Sequence, residues 1–244
     1  GKTLSGAITV TAGSIKLAET GTLASSISMS GGTLDADNSL TVSGALTHTD
    51  DITIDVADTK TLTYTGTAIS LGANTLTLSG GGSLVSGGLT LNNANSKLLL
   101  NSITVDSVST TIDNSLGVDV DNDSTITSLS VANITPVSIA SGKTLSGAIT
   151  LTAGSVKLNE TGTLASSISM SGGTLDVDKT LTLSGALTQS GDITIDVADT
   201  KTLTYSGGNL NVGSHTLSIG GAGTFSNATG SPLVLDVADS ILNL

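Results

Sequence analysis

Cysteine, tryptophan and arginine are missing from this chain of 244 residues, and proline (2), tyrosine (2) and phenylalanine (1) nearly so. Each absence removes a class of protein. Without cysteine there is no disulfide scaffold, no thiolate zinc ribbon and no thiol nucleophile. With aromatics at 1%, the core must be built from small aliphatic side chains, each worth about 1.5–3 kcal/mol when a Leu, Ile or Val is fully buried. All eight basic residues are Lys, set against 20 acidic ones, a formal net charge of −12. That balance works against phosphate neutralisation, so no nucleic-acid partner is expected. It also works against adsorption to an anionic membrane. No apolar run approaches the roughly 18 residues of a membrane-crossing helix, and no membrane insertion is expected of this segment. No signal peptide is visible. Two prolines beside 30 glycines fit neither collagen nor a proline-rich linker.

What is present is repetition. The segment from Gly1 returns at Gly142, an offset of 141 residues, and 54 of the first 65 pairs are identical. The exchanges are mostly apolar for apolar, as in Val10/Leu151, Ile15/Val156 and Val42/Leu183. The chain therefore divides into a first long repeat, 1–141, and a second one cut short, 142–244. A shorter period lies inside. An apolar anchor recurs at Leu4, Leu23, Val42, Leu62, Leu84, Val105, Ile126, Leu145, Leu164, Leu183, Leu203 and Phe225, in steps of 19 to 22 residues, and seven steps make one long repeat. Before each anchor stands a hydroxyl: Thr3, Thr22, Thr41, Thr61, Ser83, Thr104, Thr125, Thr144, Thr163, Thr182, Thr202 and Thr224.

Two more strand-like pieces follow each anchor, such as Ala7–Thr11 and Ser14–Leu17, or Ala45–Thr49 and Ile52–Val56. They alternate apolar and polar residues with period 2, which is the strand signature. Gly, Asn, Asp and Ser clusters separate them. No stretch carries a helical period. Three short strands closing a turn of about 20 residues predict an all-β parallel β-helix, a β-solenoid of about twelve coils and one continuous body. Right-handed winding is expected from the general preference of parallel crossovers. The hydroxyl column becomes a ladder on one face and the anchors become core. An antiparallel sandwich is the rival reading, but fixed columns at this period do not suit it. The chain starts and stops inside its own pattern, so either the natural polypeptide is longer or copies stack end to end.

The phrases GGTLDADNSLTVSGALT and SGKTLSGAITLTAGSVKL resemble repeats of microbial extracellular β-solenoid proteins, namely autotransporter passengers and filamentous-haemagglutinin-like adhesins. The resemblance covers the whole chain and is one of style. It implies a secreted, cell-surface stalk or fibre, and carries over no binding residue.

The candidate sites are few. Aspartates recur at Asp35/Asp37, Asp55/Asp58, Asp119/Asp121/Asp123, Asp176/Asp178, Asp196/Asp199 and Asp236/Asp239. Counting from the anchors puts Lys16, Asp35 and Asp55 in one outward column, repeated as Lys157, Asp176 and Asp196. Like charges side by side need a cation or water between them, so Asp35, Asp55, Asp176 and Asp196 are candidate Ca²⁺ ligands. Neither a calcium-binding nonapeptide nor an EF-hand loop accompanies them. Otherwise they form a solvated acidic face, with Lys16 over Asp35 as a surface ion pair. No other cofactor is expected.

His48 and His215 stand where the other copy has Gln189 and Asn74, so neither position needs an imidazole, and both are expected to face solvent. Tyr64 and Tyr205 are equivalent and fall inward as large fillers. Four sequons begin at Asn122, Asn133, Asn159 and Asn227. The GKT at Gly1 and Gly142 is not a phosphate-binding loop, because Val137 stands where the motif needs Gly. No catalytic residue emerges, and repetition suits no unique site, so the chain is expected not to be an enzyme.

The expected role is structural or adhesive: a stiff spacer in an extracellular fibre. Its partners are its own continuing chain, or other copies joined end to end or laterally. Surface glycans are a possible target for loops at 84–101 and 106–124. The alternatives are a self-assembling filament subunit, an ice-binding threonine face and a polysaccharide-active β-helix enzyme.

Overall fold

The computed structural model describes residues 4, 6–111, 115–159, 161–228, 230, 232–235 and 237–244. Thr3 and Asp236 lie outside them. Every regular element among the described residues is a strand and none is a helix. The strands fall where alternation placed them: Ile8–Val10, Ser14–Leu17, Leu46–His48 and Ile52–Val56. Each coil carries an anchor strand, a second strand and a third strand, and at most coil junctions each pairs in parallel with its counterpart in the next coil.

The third strands stack into one unbroken 12-stranded sheet, from Ser14–Leu17 to Ile241–Asn243. The anchor strands run without a break from Gly21–Leu23 to Thr224–Asn227, eleven in all. Leu4 adds only an isolated bridge to Leu23. The solenoid thus has about eleven turns rather than the twelve counted from the anchors. In its middle, an anchor strand flows straight into the second strand, as in Thr104–Thr110, Ser124–Val131 and Thr144–Leu151, merging two ladders into a 15-stranded sheet.

The core is a column of aliphatic side chains on the axis. Anchors from Leu23 to Leu203 are buried, Phe225 is partly buried, and Leu4 is 58% exposed because it has a coil on only one side. Coils approach closely where the sequence permits it. A Cβ on Gly44 would sit 1.9 Å from the Ser25 carbonyl oxygen, and one on Gly185 1.9 Å from that of Ser166, its repeat equivalent. Ser25 and Ser166 are themselves buried and donate to the Leu4 and Leu145 carbonyls, at 2.9 and 3.3 Å.

The hydroxyl ladder is not one straight column. Thr22 pairs with Thr41, but Thr41 then meets Thr63 rather than Thr61. Thr61, Ser83, Thr104 and Thr125 form the next run. Thr125 meets Ser146, not Thr144. Thr144, Thr163 and Thr182 follow, Thr182 meets Thr204, and Thr202 pairs with Thr224. Each break is a slip of two residues. A slip of two keeps every side chain on its own face, whereas a slip of one would invert them.

Candidate functional site

The charged face lies on the third-strand sheet, and the expected column is there. Lys16 is in register with Asp35, and Asp35 with Asp55. Lys157, Asp176 and Asp196 repeat the arrangement. Lys16 Nζ lies 3.7 Å from Asp35 but 2.9 Å from Asp37, so its main partner sits in the bend beyond the strand. Asp37 in particular, then Asp35, pushes the exposed Lys16 ammonium above its ordinary pKa. Lys157 lies 3.5 Å from Asp176, and Lys97 is 2.5 Å from Asp119.

The two copies differ at the end of the column. Asp55 accepts a hydrogen bond from the Ser79 hydroxyl in the next coil, whereas Asp196 faces Gly220, which has no side chain to offer. Partial burial, then Asp178, raises the pKa of Asp176, and Lys157 opposes the shift. Lys157, Thr174, Asp176, Thr194 and Asp196 line a shallow open groove. Among the described residues no group of three or more His, Asp or Glu side chains is gathered as a metal cage. Asp35 and Asp55, like Asp176 and Asp196, adjoin as pairs.

Other carboxylates do a different job. Asp51 accepts the Thr75 N–H of the next coil at 2.7 Å, and its equivalent Asp192 accepts that of Thr216 at 2.8 Å. Asp123 accepts the Thr144 N–H at 2.8 Å. Asp106 takes the N–H groups of Ser86 and Gly87, each at 3.0 Å. These are latches between bends, where a sharp turn leaves a donor without a ladder partner. The sequence reading passed over Asp51, Asp106 and Asp192. Their signal was an aspartate or a strand position repeating beside a bend.

His48 does not face solvent. It is in register with buried Met29 on the inward side of its strand, half-buried, with Nδ1 3.2 Å from the Asp50 carbonyl and Nε2 buried without a partner. Gln189 takes the same inward place beside Met170. Alternation from the buried Leu46 puts the imidazole inward, against the expectation of a solvent-facing residue. His215 lies half-buried in the bend before a third strand.

Tyr64 and Tyr205 point inward as expected. Their hydroxyls accept the N–H groups of Leu46 and Leu187, at 3.0 and 3.2 Å, and the Tyr205 ring stacks on Phe225 with centroids 6.4 Å apart. Among the described residues, the stretches 84–101 and 106–124 are not projecting loops. They hold strands of the solenoid wall, at Leu89–Leu91, Lys97–Asn101, Thr104–Thr110 and Gly117–Val120. Two sequons are engaged in the fold. Ser124 is buried and bonded to the Asn122 carbonyl, and Thr135 is buried against the Thr110 hydroxyl at 3.1 Å. The sequons at Asn159 and Asn227 include Glu160 and Thr229, outside the described residues.

The architecture defines a parallel β-solenoid repeat protein whose outward faces carry threonine, serine and paired charges. No family model, curated protein or solved structure matches the chain.

Proposed function

We propose that this chain is a stiff, repetitive spacer in an extracellular or cell-surface fibre of the autotransporter-passenger or haemagglutinin-like kind. The observation that carries the reading is the sameness of the coils. Equivalent side chains serve equivalent structural places at 141-residue spacing, and the grooves on the surface are shallow. Selection for length and rigidity explains such repetition, because each added coil extends the rod by about 4.8 Å without altering its neighbours. The acidic, hydroxyl-rich surface suits a solvated rod that repels its copies. No catalytic role is proposed, and Ca²⁺ remains a candidate only between the paired aspartates.

Electron microscopy of the purified chain should show rods roughly 55 Å long, and antibodies to it should label the outside of intact source cells. Compact particles would overturn the rod, and labelling only after permeabilisation would overturn the location.

A second reading, end-to-end stacking of copies, draws on the first coil. Leu4 is 58% exposed and Ile8, Ile15 and Leu17 are only partly covered, while their equivalents Leu145, Ile149, Val156 and Leu158 are buried by the coil beneath. A coil of the same shape would cover them, whether it came from the same chain or from another. Concentration-dependent linear oligomers in light scattering would support this reading, and a monomer at all concentrations would sink it. Ice binding fits the ladder less well, since the column of residues before the anchors slips register at Thr41/Thr63, Thr125/Ser146 and Thr182/Thr204.

A further inference from the structure

Two coil junctions are unlike the rest. At most junctions among the described residues all three strands pair across. Between the coil of Leu46–His48 and that of Ile69–Ser70, the second-strand ladder stops. Leu46–His48 pairs only with Ile27–Met29 on one side, and Ile69–Ser70 only with Leu89 and Thr90 on the other. The same interruption returns 141 residues on, between Leu187–Gln189 and Leu210–Asn211.

Three further features coincide at both places. The tyrosine hydroxyl takes the N–H of Leu46 or Leu187 that would otherwise bond to the missing neighbour. The anchor strand slips by two, setting Val42 against Tyr64 and Leu183 against Tyr205. The polar residue closing the second strand is imperfectly satisfied: His48 Nε2 and Gln189 Oε1 are buried without partners, while Gln189 Nε2 donates to the Val212 carbonyl at 3.0 Å. Room for the ring comes from Gly66 and Gly207, where a Cβ would lie 2.2 Å from the Tyr64 hydroxyl and 2.8 Å from the Tyr205 ring.

We propose that these tyrosine seams are the compliant joints of the rod, where neighbouring coils part before they part elsewhere, and that the seven coils between them move as one block. In a quasi-one-dimensional array the weakest interface opens first. A seam keeps two ladders of three and replaces the third by side-chain bonds, one at the first seam and two at the second. The inference rests on the fold alone and not on where the rod is displayed.

Native-state hydrogen exchange of the full chain, followed by mass spectrometry in low urea, tests it. Amides that donate across a seam, those of Leu46, Thr65, Leu187 and Ser206, should exchange roughly tenfold faster than their counterparts at fully paired junctions, those of Ile27, Ser43, Ile168 and Ala165. Thr47 and Ser70 hold matching exposed positions across the first seam. Because the chain has no cysteine, a Thr47→Cys/Ser70→Cys pair can be oxidised alone. The staple should slow exchange at the first seam to the reference level and leave the second unchanged. A control staple at the register partners Thr90 and Ser109, Thr90→Cys/Ser109→Cys, should leave both seams fast. Equal protection at seams and reference strands in the unmodified chain, or a first seam indifferent to its staple, overturns the proposal. The unmodified comparison decides alone if a cysteine variant does not fold.

Discussion

Tyr64→Phe removes one oxygen and keeps the ring, so it isolates the bond from the Leu46 N–H to the tyrosine hydroxyl at 3.0 Å. Tyr64 is 4% exposed, and water has little access to replace the lost acceptor. A buried N–H left without a partner costs about 1–3 kcal/mol. The ring still fills its space, so no cavity contribution is added. Tyr205→Phe should cost a similar amount through Leu187, whose bond is 3.2 Å. Urea unfolding monitored by circular dichroism should show each variant's midpoint lowered by about 0.3–1 M, with m unchanged. Because there are two tyrosines and no tryptophan, each single variant leaves one tyrosine as the fluorescence reporter, placed in the other copy. The seams lie seven coils apart, about 34 Å, so the two costs should add in the double variant. Midpoints within error of the parent would refute the reasoning. They would mean that the Leu46 N–H finds another acceptor and that the hydroxyl does not hold the seam.

Gly44→Ala and Gly185→Ala should each destabilise by about 2–4 kcal/mol, read as a lowered urea midpoint, because a Cβ 1.9 Å from a neighbouring carbonyl forces the coils apart and breaks ladder bonds. Thr59 and Thr200 hold φ of 63°, so Thr59→Gly or Thr200→Gly should stabilise by about 1 kcal/mol, relieving a left-handed conformation that a β-branched residue adopts at a cost. Asp176 has a raised pKa when folded, so its ionised form is disfavoured there. The penalty holds above the folded pKa and fades as pH falls through it towards the unfolded value. Asp176→Asn should therefore match or exceed the parent's stability at neutral pH and lose that advantage in acid, as read from unfolding midpoints between about pH 3 and 7. Excess EDTA should leave the melting temperature unchanged, and a clear fall would revive calcium at Asp35/Asp55 or Asp176/Asp196.

Much of the fold was legible because it is written as period. Leu62 and Leu203 are buried and their neighbours Thr61 and Thr202 are not, as alternation from the anchors requires. Lys16, Asp35 and Asp55 stack because each directly follows an inward residue, Ile15, Leu34 or Ile54, and those three are in register. Lys16 nonetheless leans to Asp37, since a long flexible side chain answers to distance and not to register. His48 was misplaced because a polar residue at a strand end suggests the outside. The neighbouring Met29 and the interrupted ladder make its place an inward one.

The coil, its span of about 20 residues, its all-β character and the inward or outward direction of nearly every strand residue were set along the chain. Those follow from local alternation and from spacing along the chain, which a reader can count. Which residue stands over which depends on packing between coils. In Lys60–Tyr64, the repeat Thr61-Leu62-Thr63-Tyr64 offers two registers with the same faces, and choosing Val42 against Tyr64 over Val42 against Leu62 is a matter of packing across coils. Alternation has period two and is blind to a shift of two. The slips, the tyrosine hydroxyls at Leu46 and Leu187, and the interruptions beside them come from filling a shared interior, where a ring, a glycine and the next coil's backbone compete for one space.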